Sequence, residues 1–196
     1  MDLFIIKDNK VYPTPQALNI PIFYKIWEAD ESPKKEHAIM KLSFIEFMCS
    51  YRKSNPFIGY LDEKEREEKI IAAFSSMSQE LTYDDPRTDI NVTNAMDFYK
   101  DVQYHAAPSL RFYEAALSGA KKMIDFFNTL DMTTTNSRSG NPLYKPAEIT
   151  RALKDTNDII KTLGALKDKV EQEIFESSTG KGGREINFFE MVRTKN

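Results

Sequence analysis

Cys49 is the only cysteine of this chain, and His37 and His105 are its only histidines. A cysteine attacks as its thiolate, so a Cys49 nucleophile would need His37 or another group to take its proton. The run around it, Phe44-Ile45-Glu46-Phe47-Met48-Cys49, reads as an apolar helix in which a thiol stays protonated and inert. One cysteine forms no intrachain disulfide, and with two histidines it leaves little material for a Cys/His metal site. His105, between Tyr104 and Ala106 near a helix end, reads as a cap or a satisfied core group. Gly180-Lys181 invites a phosphate-loop reading. That motif needs a glycine where Phe175 stands and a Ser or Thr where Gly182 stands, so it fails. No nucleophile elbow, dinucleotide-binding turn, zinc-protease helix or calcium loop is present. Some pair of the 30 Asp and Glu will meet in space, but acid/base catalysis also needs a shifted pKa inside a pocket. The expectation is therefore a non-enzymatic chain, with no catalytic, metal or cofactor residues.

The elements that would carry any function come from composition and spacing. The 196 residues are 41% hydrophobic and 12% aromatic, enough for a folded core, and Gly 7 and Pro 9 exclude linker-like composition. A net charge of -3 excludes a general basic field for nucleic acid or anionic lipid. No export signal or bilayer-length apolar run is visible, so the expectation is a soluble protein from a reducing compartment, with no membrane partner.

Leu3–Ile6 and Val11-Tyr12 around a polar turn predict a short β-hairpin. Ile22, Phe23, Ile26 and Trp27 then trace a short helix. Ser32-Pro33 predicts the start of a helix running to about Tyr51, apolar all round and therefore central. Asp62 with Glu65 resembles a capping box, and the charged run 62–69 reads as a solvated face. Val92, Ala95, Met96, Tyr99 and Val102 trace a further helix, which Pro108 ends. Over Ser109–Leu130 one face is marked by Leu110, Tyr113, Leu117, Ala120, Ile124 and Phe127. Phe112, Met123 and Phe126 widen it and predict tertiary contact on two sides.

Residues 131–145 read as a mobile or functional loop. Pro146 opens a helix to about Glu176 with heptad spacing at Ile149, Ala152, Thr156, Ile159, Leu163, Leu166 and Val170, and Leu153, Ile160 and Ile174 broaden the stripe. Both packing within the chain and lateral association with another subunit fit that stripe. The predicted class is mainly α: a helical bundle with a short N-terminal β-hairpin, a long C-terminal helix and an extended C-terminal arm. Residues 1–176 form the helical domain and 177–196 the linker and arm. The arm carries Ile186, Phe188, Phe189, Met191 and Val192 beyond a Gly-rich spacer. Each large apolar side chain left in water forfeits about 1.5–3 kcal/mol. The arm therefore either folds back on its own domain or docks on another subunit.

Pro21-Ile-Phe-Tyr-Lys-Ile-Trp27, Phe44-Ile-Glu-Phe-Met-Cys-Ser-Tyr-Arg-Lys-Ser-Asn-Pro-Phe-Ile-Gly-Tyr60 and Glu65-Arg66-Glu67-Glu68-Lys69-Ile70 together resemble a pattern in small structural proteins of tailed bacteriophages. The likeness is to neck or ring proteins stacked between portal and tail, as in crAss-like phages, and covers roughly residues 3 to 75. It implies a virion head-to-tail connector subunit, made in the host cytoplasm and forming a homo-oligomeric ring, twelvefold in that resemblance. Its partners would be neighbouring copies, through Ile186, Phe188, Phe189, Met191 and Val192, and the portal, ring or tail proteins above and below. DNA passing through the channel would be an incidental contact. A second reading is a helical binding or regulatory module that contacts nucleic acid through Arg138, Lys145, Arg151, Lys154, Lys181 and Arg184.

Overall fold

In the computed structural model the described residues are 3–60, 62–77, 85–131, 133–135 and 144–179. The chain opens on the expected hairpin, with β1 (Phe4–Lys7) antiparallel to β2 (Lys10–Pro13) and Ile6 opposite Val11. Asp8 and Asn9 turn the chain with φ of 53° and 57°. Positive φ at both central residues matches the right-handed twist of the flanking strands, and Asp and Asn tolerate it better than other side chains. Phe4 and Val11 point into the core while Ile5 and Tyr12 face outward.

Two short helices follow, α1 (Pro15–Leu18) and α2 (Pro21–Glu28). Each starts on a proline, whose missing N–H would have no partner in a first turn anyway. α1 is not among the elements expected from the sequence. Thr14 makes the turn by accepting from the Ala17 N–H (3.3 Å) and donating its hydroxyl to the Leu3 carbonyl (3.0 Å).

The central helix α3 runs over Glu36–Cys49 and is buried from Leu42 to Cys49, as its all-round apolar pattern requires. Its start differs from the expected Ser32-Pro33. Lys35 takes a left-handed conformation (φ 55°), which separates the Ser32 turn from the helix. The cap comes from further upstream, where Asp30 Oδ2 accepts from the Ala38 N–H at 2.8 Å. Ser32 Oγ still accepts from the Glu36 N–H at 3.2 Å. Beyond α3, Asn55 donates to the carbonyls of Phe47 (3.0 Å) and Ser50 (2.8 Å) and so closes the helix end.

α4 (Glu63–Met77) begins at the anticipated cap, with the Glu65 N–H donating to Asp62 Oδ1 at 2.9 Å. α5 (Ile90–Ala106) is capped by Asp89 and stops before Pro108. Its Phe98 and Tyr99 meet Phe4 and Phe23 in an edge-to-face cluster with centroids 5.1–6.3 Å apart. Such pairs contribute about 0.5–1.5 kcal/mol beyond their area. The hairpin, α2, α3, α4 and α5 thus share one apolar core.

The chain groups into two compact units. One holds the described elements through Ala107 together with the end of the last helix, residues 171–179. The other, Pro108–Val170, contains α6 (Ser109–Thr129) and most of α7 (Pro146–Thr179). α7 continues slightly past the expected end at Glu176. Residues 136–143 and 180–196 lie outside the described residues, and with them Ile186, Phe188, Phe189, Met191 and Val192. Among the described residues no helix is long and apolar enough to cross a membrane.

Candidate interaction surface

Cys49 and His37, the nucleophile and base considered above, are not brought together. Cys49 is buried at the C-terminal end of α3 and donates weakly to the Met96 carbonyl (3.9 Å), while His37 sits in the first turn of the same helix. Twelve positions of helix separate them by about 18 Å. Burial pushes the Cys49 thiol up to about 12, so it is not a nucleophile at neutral pH. His105 Nδ1 lies 2.7 Å from the Asp101 carbonyl. A carbonyl only accepts, so that nitrogen carries the proton, and the ring bonds back onto its own helix one turn earlier instead of capping its end.

The cavity beside α3, about 380 Å³, is lined by Ile26, Asp30, Ser32, His37 and Lys41. Of its two carboxylates, Glu31 and Asp30, the latter is committed to capping. Burial alone would raise the Asp30 pKa, but hydrogen bonds from Ala38 and Ser32, with the nearby His37, outweigh it and hold the carboxyl below 3.8. Among the described residues no three His, Cys, Asp or Glu are grouped to hold a metal ion. Of the basic residues considered for nucleic acid, Lys145, Arg151 and Lys154 are exposed, and Arg138, Lys181 and Arg184 lie outside the described residues.

The second unit presents a surface with a different character. α6 carries two apolar lines at alternating three- and four-residue spacing, the repeat that keeps a helix face toward a neighbour. Along the inner line, Leu110, Tyr113 and Ala120 are buried, Leu117 and Phe127 half-buried, and Ile124 exposed. The outer line is Phe112, Ala116, Gly119, Met123, Phe126 and Leu130. Its two phenylalanines stand out of the fold, Phe112 at 71% exposure and Phe126 at 49%, the latter edge-on to Tyr144 at 6.1 Å. The tertiary contact expected on this second side is not made among the described residues, which leave Phe112 and Phe126 in water.

α7 repeats the arrangement. The sheltered residues are the heptad positions, with Thr156 and Val170 buried and Ile149, Ala152, Ile159, Leu163 and Leu166 half-buried. Leu153 and Ile160 do not broaden that stripe as expected: one heptad apart, they face outward at 52% and 53% exposure. Phe175, in the last turns, is also exposed.

Each outward line contains a glycine in mid-helix, Gly119 in α6 and Gly164 in α7, the latter spaced from Ile160 as a face neighbour. A Cβ added at either would meet nothing within 4 Å. Mid-helix glycine costs about 1 kcal/mol relative to alanine, and among the described residues no close approach accounts for it here. Sequence reasoning picked out Phe112, Met123 and Phe126 but not Gly119 or Gly164. The signal available was a glycine falling on an apolar heptad line.

No family model, curated protein or solved structure matches the chain.

Proposed function

We propose that the chain is a structural subunit that works by associating with other protein chains, as a component of a phage neck or tail ring connecting portal and tail. The observation that carries the association is the pair of outward apolar lines on α6 and α7, where Phe112, Phe126, Leu153 and Ile160 each leave about half or more of their surface to water. Single exposed apolar residues are ordinary on a monomer, whereas aligned ones at helix-contact spacing mark a contact surface. Two such surfaces on one chain are what heterologous contacts in a closed ring require. The ring and the virion location rest on the resemblance of residues 3 to 75 to neck proteins. In this reading the C-terminal arm, through Ile186, Phe188, Phe189, Met191 and Val192, docks on a neighbouring copy.

The test is electron microscopy and sedimentation of the purified full chain at rising concentration, alone and with portal and tail proteins of the same virion. Closed rings, free or seated on a portal, are expected. A chain that stays monomeric and binds neither partner would remove the reading.

A further inference from the structure

We propose that residues 185–188 of the C-terminal arm add as a third, antiparallel strand to the open edge of β1 on a neighbouring copy. This rests on the association proposed above and names the surface that receives the arm. Opposite residues of an antiparallel pair alternate between exchanging both backbone bonds and pointing those groups outward. The Thr14 N–H donates to the Leu3 carbonyl at 2.9 Å, so the bonded pairs are Leu3 with Thr14, Ile5 with Tyr12 and Lys7 with Lys10. The outward groups therefore belong to Phe4 and Ile6 on β1 and to Val11 on β2. On β2 the chain uses them itself, for the Val11 N–H donates to Ser43 Oγ of α3 at 2.9 Å. On β1 the outward groups of Phe4 and Ile6 have no partner among the described residues, and no third strand lies beside them. Ile6 is left half-buried and Ile5 exposed. A strand edge in that state is a template for another segment.

The sequence of the arm fits this edge in one direction. From Arg184 to Val192 it holds neither proline nor glycine, and Glu185-Ile186-Asn187-Phe188 alternates polar with apolar as a half-buried strand does. Laid antiparallel with Ile186 beside Ile6 and Phe188 beside Phe4, both apolar residues fall on the core face, and both pairs exchange backbone bonds. Glu185 then falls beside Lys7 and Arg184 beside Asp8, two neighbours of opposite charge. A parallel strand with Ile186 and Phe188 on the same two partners would put Phe189 beside Lys7 and Glu190 beside Asp8, a like-charge pair. Each copy carries both the edge and the arm, two different surfaces that fit each other, so donation runs head to tail and closes with a ring. Residues 180–184 span at most about 18 Å, so the accepting copy must be an adjacent one. The strand therefore adds to the contact of the helix lines, held at high effective concentration by its tether.

Cys49, buried and protonated, leaves introduced cysteines as the only reactive thiols. Ile5 and Asn187 would form a pair without backbone bonds, the kind whose side chains lie closest. Ile5 is exposed, so its replacement spares the core. Full-length Ile5→Cys and Asn187→Cys chains are mixed at a concentration where wild type associates and are oxidised, alongside each variant alone. The pairing predicts a mixed disulfide at least tenfold above either self-linked product. No mixed link overturns it. An in-chain disulfide in the Ile5→Cys/Asn187→Cys double variant, at a concentration that keeps chains apart, assigns the arm to its own edge and likewise overturns it. For direction, Lys7→Cys should link to Glu185→Cys, whereas a preferred link to Phe189→Cys contradicts the antiparallel register. Lys7→Glu is expected to weaken self-association about threefold, with Glu185→Lys in the same chain restoring it; an unchanged affinity would overturn the register. Chains that associate without the mixed disulfide remove the strand pairing and keep the association, and a wild type that never associates removes both.

Discussion

Tyr99 donates its phenolic hydrogen to Glu46 Oε2 at 2.5 Å, joining α5 to α3 in the interior of the first unit. Glu46 is fully buried and Tyr99 nearly so. Burial first, and the Glu46 charge second, raise the Tyr99 pKa well above 10, so the phenol remains a donor at every physiological pH. Tyr99→Phe keeps the ring cluster with Phe4 and Phe23 and removes one buried hydrogen bond to a carboxylate. A loss of about 1–3 kcal/mol in unfolding free energy is expected. It would be read as a lower urea midpoint at unchanged slope. A midpoint equal to wild type would show that the bond contributes nothing.

The thiol of Cys49 gives an independent reading of core tightness. With burial pushing its pKa to about 12, native protein at neutral pH should react with a thiol reagent only through opening of the fold. Unfolded chain should react at once. Fast native-state labelling would mean that the α3 end is not closed.

Acid sensitivity follows from Asp30 and Asp89. Burial would raise the Asp89 pKa, but Lys41 at 2.7 Å and the N–H groups of Asn91 and Val92 outweigh it, so both carboxyls titrate below 3.8 when folded. A depressed folded pKa stabilises the fold above the unfolded value, and that contribution disappears as pH falls from about 3.8 through the folded pKa. Urea midpoints should therefore drop on acidification through this range. Asp30→Asn and Asp89→Asn should start lower at neutral pH and show a shallower acid slope. Variants with wild-type slopes would relocate the acid-labile groups.

Gly119→Ala separates the demands of the monomer from those of association. At concentrations low enough to keep chains apart, the added methyl meets open space and helix propensity should raise stability, by up to about 1 kcal/mol. A lower melting temperature there would show that Gly119 is needed inside the chain.

Much of the fold was legible because local chemistry decided it. The hairpin follows from alternation around Asp8-Asn9, the start of α4 from Asp62 and Glu65, and the end of α5 from Pro108. What was hidden depended on contacts distant in sequence. Asp30 caps α3 across eight residues, a reach that displaced the expected start at Ser32-Pro33. Arg66 sits in a charged run that reads as solvated, yet it is buried and donates to the carbonyls of Tyr60 (2.9 Å) and Met48 (3.1 Å). The two faces of α6 were visible in its spacing, but which face is covered by the chain itself was not. Gly119 carried no signal until the space around it was known. The arm residues Ile186, Phe188, Phe189, Met191 and Val192 were chosen on hydrophobicity alone and lie outside the described residues.

The central claim is that the outward lines of α6 and α7 are contact surfaces for other chains. Sedimentation equilibrium of the full chain, beside a Phe112→Glu/Ile160→Glu variant of equal helicity, tests it most directly. Wild type should show an average mass rising above 22.6 kDa with concentration, while the variant stays at that value. A wild-type mass fixed at 22.6 kDa, or the same rise in the variant, would contradict it.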